Sequence, residues 1–319
     1  MTEPIGVLVM AYGTASGPED VERYYTDIRG GRAPSPALLE ELKDRYKAIG
    51  NRFPLLEITR RQTAALEREL EAQNEGGFKV YLGMKHSPPF IREGVAQMRA
   101  DGIGRGVGLV LAPHYSRLSI GTYRERVEAA LANPGLASAP DDIAFSFIES
   151  WHDHPRFIEA VSRRVAEALG QLSDDERDHV VVVFTAHSLP AKIVAEGDPY
   201  ADQLEETADL VAKELDLPAY RTAWQSAGRT PEPWLGPDLG QVIHEVATAG
   251  HRAIVVCPCG FVSDHLEILY DLDIEAQHEA KEAGITLVRT RSMNDDDDFI
   301  QTLAAVVLEH LHTASPNPS

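Results

Sequence analysis

Cysteine is nearly absent: Cys257 and Cys259 are the only two in 319 residues. One residue apart, they cannot staple distant parts of the chain, so the fold must rest on its core, and a reducing cytoplasmic setting is expected. Long apolar runs are missing too. No stretch approaches the ~20 residues of a membrane-spanning helix, and "MTEPIGVLVMAYGT" lacks the basic flank and apolar length of a signal peptide. No transmembrane segment is expected. Positive charge is in deficit, with 30 basic residues against 50 acidic ones and a formal net charge of −20. Such a field repels nucleic acid and anionic membrane surfaces and favours cations. Several enzyme signatures are also wanting: G-x-x-x-x-G-K-[ST], H-E-x-x-H and G-x-S-x-G do not occur, and "GIGRGVG" fails G-x-G-x-x-G. Nucleotide-dependent and serine-hydrolase chemistries lose their main support.

What is present is a regular alternation. Short apolar runs ("IGVLVMAY", "FKVYLGMK", "VGLVLAPH", "AFSFIES", then "HVVVVFTAH", "AYRTAWQS", "AIVVCPCGF", "TLVRTRS") are separated by amphipathic segments such as "PALLEELKDRYKAI" and "RFIEAVSRRVAEALGQL". This is the βαβ signature of an α/β protein with parallel sheets flanked by helices. Four runs fall in each half, and the halves echo each other: "MAYGT" answers "TAHSL", and "LAPHYS" answers "VCPCGF". Two four-stranded domains are predicted, residues 1–150 and 151–319, with the boundary near Trp151. "NDDDD" at Asn294–Asp298 reads as a solvated helix start. The tail "TASPNPS" is expected to lack fixed structure.

Open parallel sheets bind ligands beyond the carboxyl ends of their strands, where loops carry polar groups over a rigid base. His187 falls there in the second half, Tyr12 in the first. Glu267, Asp271 and Glu275 in "SDHLEILYDLDIE" recur every four residues, an acidic stripe if the segment is helical. Like charges at that spacing destabilise a helix by a few tenths of a kcal/mol per pair, a cost that a cation relieves. A D-x-x-E capping box from Asp264 to Glu267 explains part of the stripe without chemistry. An imidazole and a carboxylate at one sheet edge point to a divalent-cation or proton-transfer site. His86, His114 and Tyr123 lie at corresponding edges, and burial as satisfied core residues is an equal reading for both histidines. Cys257 and Cys259 are expected to be core.

"VVVFTAHSLPAKIVAEGDPY" resembles the ferrochelatase signature, and "LVMAYGT", "YYTDIRGGR", "LKDRYKAIG", "GMKHSPPFI", "LAPHYS", "WQSAGRTPEPWLGPD" and "GFVSDHLEILYDLDIE" extend the resemblance over nearly the whole chain. They look like the bacterial branch that acts on coproporphyrin. The resemblance implies two Rossmann-like, chelatase-type domains with the porphyrin between them, and insertion of Fe2+ into coproporphyrin III to give coprohaem in haem biosynthesis. It also implies catalytic roles for His187 and Glu267, with Tyr12 facing the metal from the other side of the macrocycle. Asp271 and Glu275 would bind or feed cations, Mg2+ being a candidate. Arg29, Arg45 and Tyr123 would hold propionates, and Trp234 would line the pocket. Phe53 and Gly30 depart from the pattern, standing where relatives carry a small hydroxyl residue and an arginine. Some relatives bind a [2Fe–2S] cluster, which needs four cysteines; two are present, so none is expected. No cofactor beyond the substrate iron is required, and the product would pass to a downstream haem-pathway enzyme. His187 would take pyrrole protons or hold iron briefly. Protoporphyrin IX as substrate, a metal-dependent hydrolase using His187, Glu267 and His86, and a non-catalytic haem-binding module are the alternatives.

Overall fold

The computed structural model describes residues 3–74, 76–132 and 143–314. All eight apolar runs form strands: β1 (Ile5–Ala11), β2 (Phe78–Met84), β3 (Arg105–Val110) and β4 (Ala144–Ile148), then β5 (Val180–His187), β6 (Tyr220–Gln225), β7 (Ala253–Cys257) and β8 (Thr286–Arg289). They build two four-stranded sheets of the same order, β2-β1-β3-β4 and β6-β5-β7-β8, parallel throughout. Parallel neighbours need crossovers, and helices supply them.

Strand β5 shows why these runs are so apolar. It pairs on both edges and is covered on both faces, so Val180 through Ala186 are all buried. Burying each valine contributes roughly 1.5–3 kcal/mol. On one face Val181 and Val183 meet Leu239, Val242, Ile243 and Val246 of the helix Leu239–Thr248, with Ile268, Leu272, Ala276 and Ala280 from the segment after β7.

The chain divides into two compact units, though not by a single cut at residue 150. One unit takes the segment up to Ala112, Arg117–Trp151 and the segment from Asn294 onward; the other takes Pro113–Ser116 and His152–Met293. The C-terminal helix Asp297–Ala314 belongs with the first sheet for identifiable reasons. Asp295 receives a fork from Arg61 (2.9 and 3.1 Å), Gln62 Nε2 donates to the Asn294 carbonyl (2.6 Å), and Phe299 meets the Trp151 ring at 6.0 Å. The acidic run is therefore partly an ion-pair anchor rather than only a solvated helix start. "LAPHYS" likewise crosses over, Tyr115 N–H donating to Gln203 Oε1 (2.6 Å) and Ser116 Oγ to Asp198 (3.0 Å). Thr313 and Ala314 of the C-terminal tail continue the helix, and the rest of that tail lies outside the described residues.

Both core histidines are buried, His86 in the first unit and His114 in the second. Burial pushes the His86 imidazole down to about 4, although the Asp27 carboxylate bonded to Nδ1 at 2.7 Å opposes this. Burial pushes His114 down to about 3, with the neighbouring His152 adding to the effect. Groups held neutral in the fold and charged in the unfolded chain favour unfolding in acid. Stability is complete above the ordinary histidine value of 6.5 and is lost as pH falls from there through about 4. Melting temperature should drop over that interval, and His114→Gln should shrink the drop relative to its own value at pH 7. An identical pH dependence in the variant would remove His114 as a cause.

Candidate metal-insertion site

In both sheets the chain first steps to one side and then crosses back, so the switch point lies between β1 and β3 and again between β5 and β7. A crevice opens at such a point beyond the strands' carboxyl ends. His187 is the last residue of β5, and Glu267 lies in the short helix Leu266–Leu269 after β7. The intervening loop turns tightly over β5. Gly260 N–H donates to the Thr185 carbonyl at 3.0 Å, and a Cβ on Gly260 would lie 2.4 Å from that of Ala186. Only glycine allows this approach.

The pair then forms: His187 Nε2 is 3.8 Å from Glu267 Oε2. A third group, absent from the sequence reading, joins it. His265 Nε2 is 3.7 Å from the same carboxylate oxygen. The tautomers follow from the other ring nitrogens. His187 Nδ1 lies 2.5 Å from the Ser188 carbonyl and His265 Nδ1 2.8 Å from the Ser263 carbonyl. A carbonyl only accepts, so each Nδ1 carries a proton. In the neutral state both Nε2 atoms then turn lone pairs toward a carboxylate oxygen. Three acceptors around one point are unfavourable until a proton or a metal ion enters. His265 registers this: burial disfavours its charged form, but the Glu267 carboxylate beside it, with the Ser263 carbonyl and Asp271, outweighs burial and raises its pKa.

The acidic stripe is helical, but only Glu267 lies in an α-helical turn. Asp271–Ala276 is a π-helix, in which Glu275 N–H reaches the Tyr270 carbonyl five residues back at 3.0 Å. A four-residue repeat drifts about 40° per step around an α-helix, and a wider π turn reverses the drift. The buried row Ile268, Leu272, Ala276 and Ala280 thereby stays on the sheet. Its neighbours Glu267, Asp271 and Glu275 stay aligned beside it, Glu275 exposed and Asp271 accepting from Ser226 Oγ at 2.5 Å. Such π segments recur at functional sites. The expected capping box does not form: the helix starts at His265, and Asp264 accepts instead from Ser292 Oγ at 2.7 Å.

Trp234 is in the second unit, half-buried, its Nε1 donating to Thr230 Oγ1 at 2.9 Å and its ring lying against Gly228. Cys257 ends β7 and Cys259 lies beyond it; both are buried. Away from these residues, His152, Asp153 and Glu206 bring potential ligand atoms within 4.8 Å of one another, with His152 Nε2 already 2.9 Å from Glu206 Oε2.

In the first unit Tyr12 follows β1 and is 43% exposed, its ring 4.6 Å from that of His86. Lys85 lies over both the Tyr12 ring (5.7 Å) and the Tyr123 ring (5.1 Å); burial, helped by Arg126, lowers its ammonium to about 8. Tyr123 itself is buried. Surface pairing with Asp27 and Asp44 would give the two arginines a bland role, but those carboxylates are engaged by His86 and by Lys47 (2.8 Å). Arg29 forms no ion pair among the described residues, and its Nε is buried without a partner. Arg45 has Glu41 at 3.8 Å. Phe53 stacks on Tyr46 at 4.3 Å. No helix among the described residues is long and apolar enough to cross a membrane.

The architecture is that of the chelatases. Sirohydrochlorin chelatase SirB from Bacillus subtilis subspecies spizizenii, solved with cobalt, superposes with a TM-score of 0.59 at 12% identity, covering 98% of this chain and 97% of that one. CbiX, the terminal enzyme of sirohaem biosynthesis in denitrifying bacteria, gives 0.54 at 11% identity over 98% of this chain and all of its own. At those identities the likeness concerns the fold. The ferrochelatase family model matches residues 4–311, and the chain belongs to that family. Its relatives include the coproporphyrin III ferrochelatases of Anoxybacillus flavithermus (47% identical over 312 residues, 96% of each chain) and Bacillus subtilis (44% over 309, 96% of this chain and 98% of that one). The ferrochelatase of Thermus thermophilus is 46% identical over 319 residues, 95% of this chain and 98% of that one.

Removing the charge of Glu267 should let burial prevail at His265. Glu267→Gln is expected to lower the His265 pKa in an NMR titration of its ring protons. An unmoved titration would show that the carboxylate does not control that imidazole.

Proposed function

We propose that the protein inserts ferrous iron into coproporphyrin III to give coprohaem, using His187 as the base and Glu267 as its charge partner. The observation that carries this is the Glu267 oxygen faced by two imidazole nitrogens. Metallation must strip two N–H protons from a rigid ring while a hydrated cation sheds water. An imidazole suits this because its ordinary pKa is near neutrality, where proton acceptance carries little driving-force penalty. With Nδ1 committed to the Ser188 carbonyl, the His187 lone pair is on Nε2. Protonation there creates an imidazolium that Glu267 stabilises, and the repulsion among acceptors ends. His265, charged more readily than an ordinary buried histidine, passes the proton on, and Asp271 and Glu275 extend the path toward solvent. The same acidic row can take a divalent cation such as Mg2+.

Arg29 and Arg45 are assigned to propionates, since their planar forks pair bidentately with carboxylates. Four propionates on coproporphyrin, against two on protoporphyrin IX, make that class of contact decisive. Tyr12 and Trp234 are assigned to the macrocycle. A reducing cytoplasm, where the buried thiols stay free, is the compartment, and the coprohaem formed must pass to a further haem-pathway enzyme.

Anaerobic mixing with Fe2+ and coproporphyrin III should change the visible spectrum to that of the metalloporphyrin. His187→Ala should reduce the rate by at least about 10²-fold while porphyrin still binds; near wild-type turnover would remove His187 from the chemistry. Arg29→Ala should raise KM for coproporphyrin with kcat little changed. With detergent held constant, kcat/KM should favour coproporphyrin III, and a preference for protoporphyrin IX would overturn the substrate assignment.

A further inference from the structure

We propose that Gln225 is a positioning residue that sets the separation between His187 and Glu267, an inference that rests on the reading of those two groups as the metallation pair. Gln225 ends β6, is 3% exposed, and pairs in register with His187. Side chains alternate along strands, so Gln225, His187 and Thr185 share one face of the sheet, the face on which the Glu267 segment packs. The buried Thr185 hydroxyl donates to Gln225 Oε1 at 2.8 Å, and Gln225 Nε2 donates to the Glu267 backbone carbonyl at 3.4 Å. The Gln225 carbonyl meanwhile accepts from Ser188 N–H at 2.8 Å, beside His187. One amide thus grips the strand that ends in the base and the backbone that carries the acid. Its orientation is fixed, because a flipped amide would set Oε1 against the Glu267 carbonyl.

The next residue strengthens the tie. Ser226 sits at φ +58, a region that side-chain-bearing residues rarely adopt, and its hydroxyl donates to Asp271 in the π-helix. The end of β6 therefore holds two successive members of the acidic row. The separation it controls is sensitive. At 3.8 Å the imidazole and carboxylate lie just outside hydrogen-bond range, where a shift of less than 1 Å decides whether they share a proton.

Gln225→Glu tests this by chemistry rather than by removal. A protonated glutamic acid reproduces both bonds, its C=O accepting from Thr185 and its O–H donating to the Glu267 carbonyl. An ionised one offers only acceptors and repels that carbonyl. Burial raises the carboxyl pKa above the ordinary ~4.3. The ratio of variant to wild-type kcat in anaerobic iron insertion should be near one at the acidic end of the measurable range. It should fall by roughly 10–100-fold as pH rises, with KM for coproporphyrin unchanged. The folded variant binds its proton more tightly than the unfolded chain does, so its melting temperature should fall further below wild type over the same interval. Thr185→Val, which removes one bond and keeps the shape, should lower kcat without changing KM at every pH. A kcat ratio independent of pH in a folded Gln225→Glu, or an unchanged kcat in Thr185→Val, overturns the role of Gln225 and leaves the functional reading intact. A wild-type protein that does not metallate porphyrin removes both.

Discussion

One carboxylate oxygen in the second unit lies between two imidazoles. Glu267 Oε2 faces two imidazole nitrogens whose partner nitrogens are already committed to backbone carbonyls, so the three groups repel unless something positive lies among them. A proton relieves the repulsion, and so does a divalent cation. Metal insertion into a porphyrin exchanges one for the other, and a centre that welcomes both can serve both halves of that exchange. The net charge of −20 works in the same direction by drawing cations toward the protein.

The fold supplies the constraint that keeps these groups together. A central parallel strand, buried on both faces, brings His187 to the switch point, and the next strand in register returns the chain within reach of it. The segment after β7 must then satisfy two four-residue repeats at once, an apolar one against the sheet and an acidic one beside it. The π turn at Asp271–Ala276 reconciles them. Gly260 and Gln225 act at closer range, the first by allowing the loop to lie on Ala186, the second by bonding across to the Glu267 backbone.

Much of this was legible in the sequence because parallel strands advertise themselves. Eight short apolar runs mark eight strands, the central ones almost wholly buried and the edge strands partly exposed, and the carboxyl ends of such strands are where a parallel sheet binds ligands. His187 is found from that logic, and Glu267 from the acidic repeat in the segment that follows β7. His265 is not found this way: next to a plausible helix cap it reads as context, and its approach to Glu267 depends on a turn that sends Nδ1 to the Ser263 carbonyl. The available signal is the H-x-E spacing of His265 and Glu267 in the segment that follows β7. The π-helix escaped because a period of four is read as α by default, though its strictness over four successive apolar positions was the clue. Amphipathic patterning says which face of the C-terminal helix is buried and not against what, so chain order alone assigns it to the second sheet; Arg61 and Asp295, 234 residues apart, tie it to the first.

The proposed metallation requires the charge on Glu267 and not only its shape. Rapid mixing of Glu267→Gln with Fe2+ and coproporphyrin III under anaerobic conditions, followed by the visible spectrum, tests it most directly. Porphyrin should bind the variant with wild-type affinity and remain metal-free over many wild-type turnover times. Metallation at the wild-type rate would contradict it.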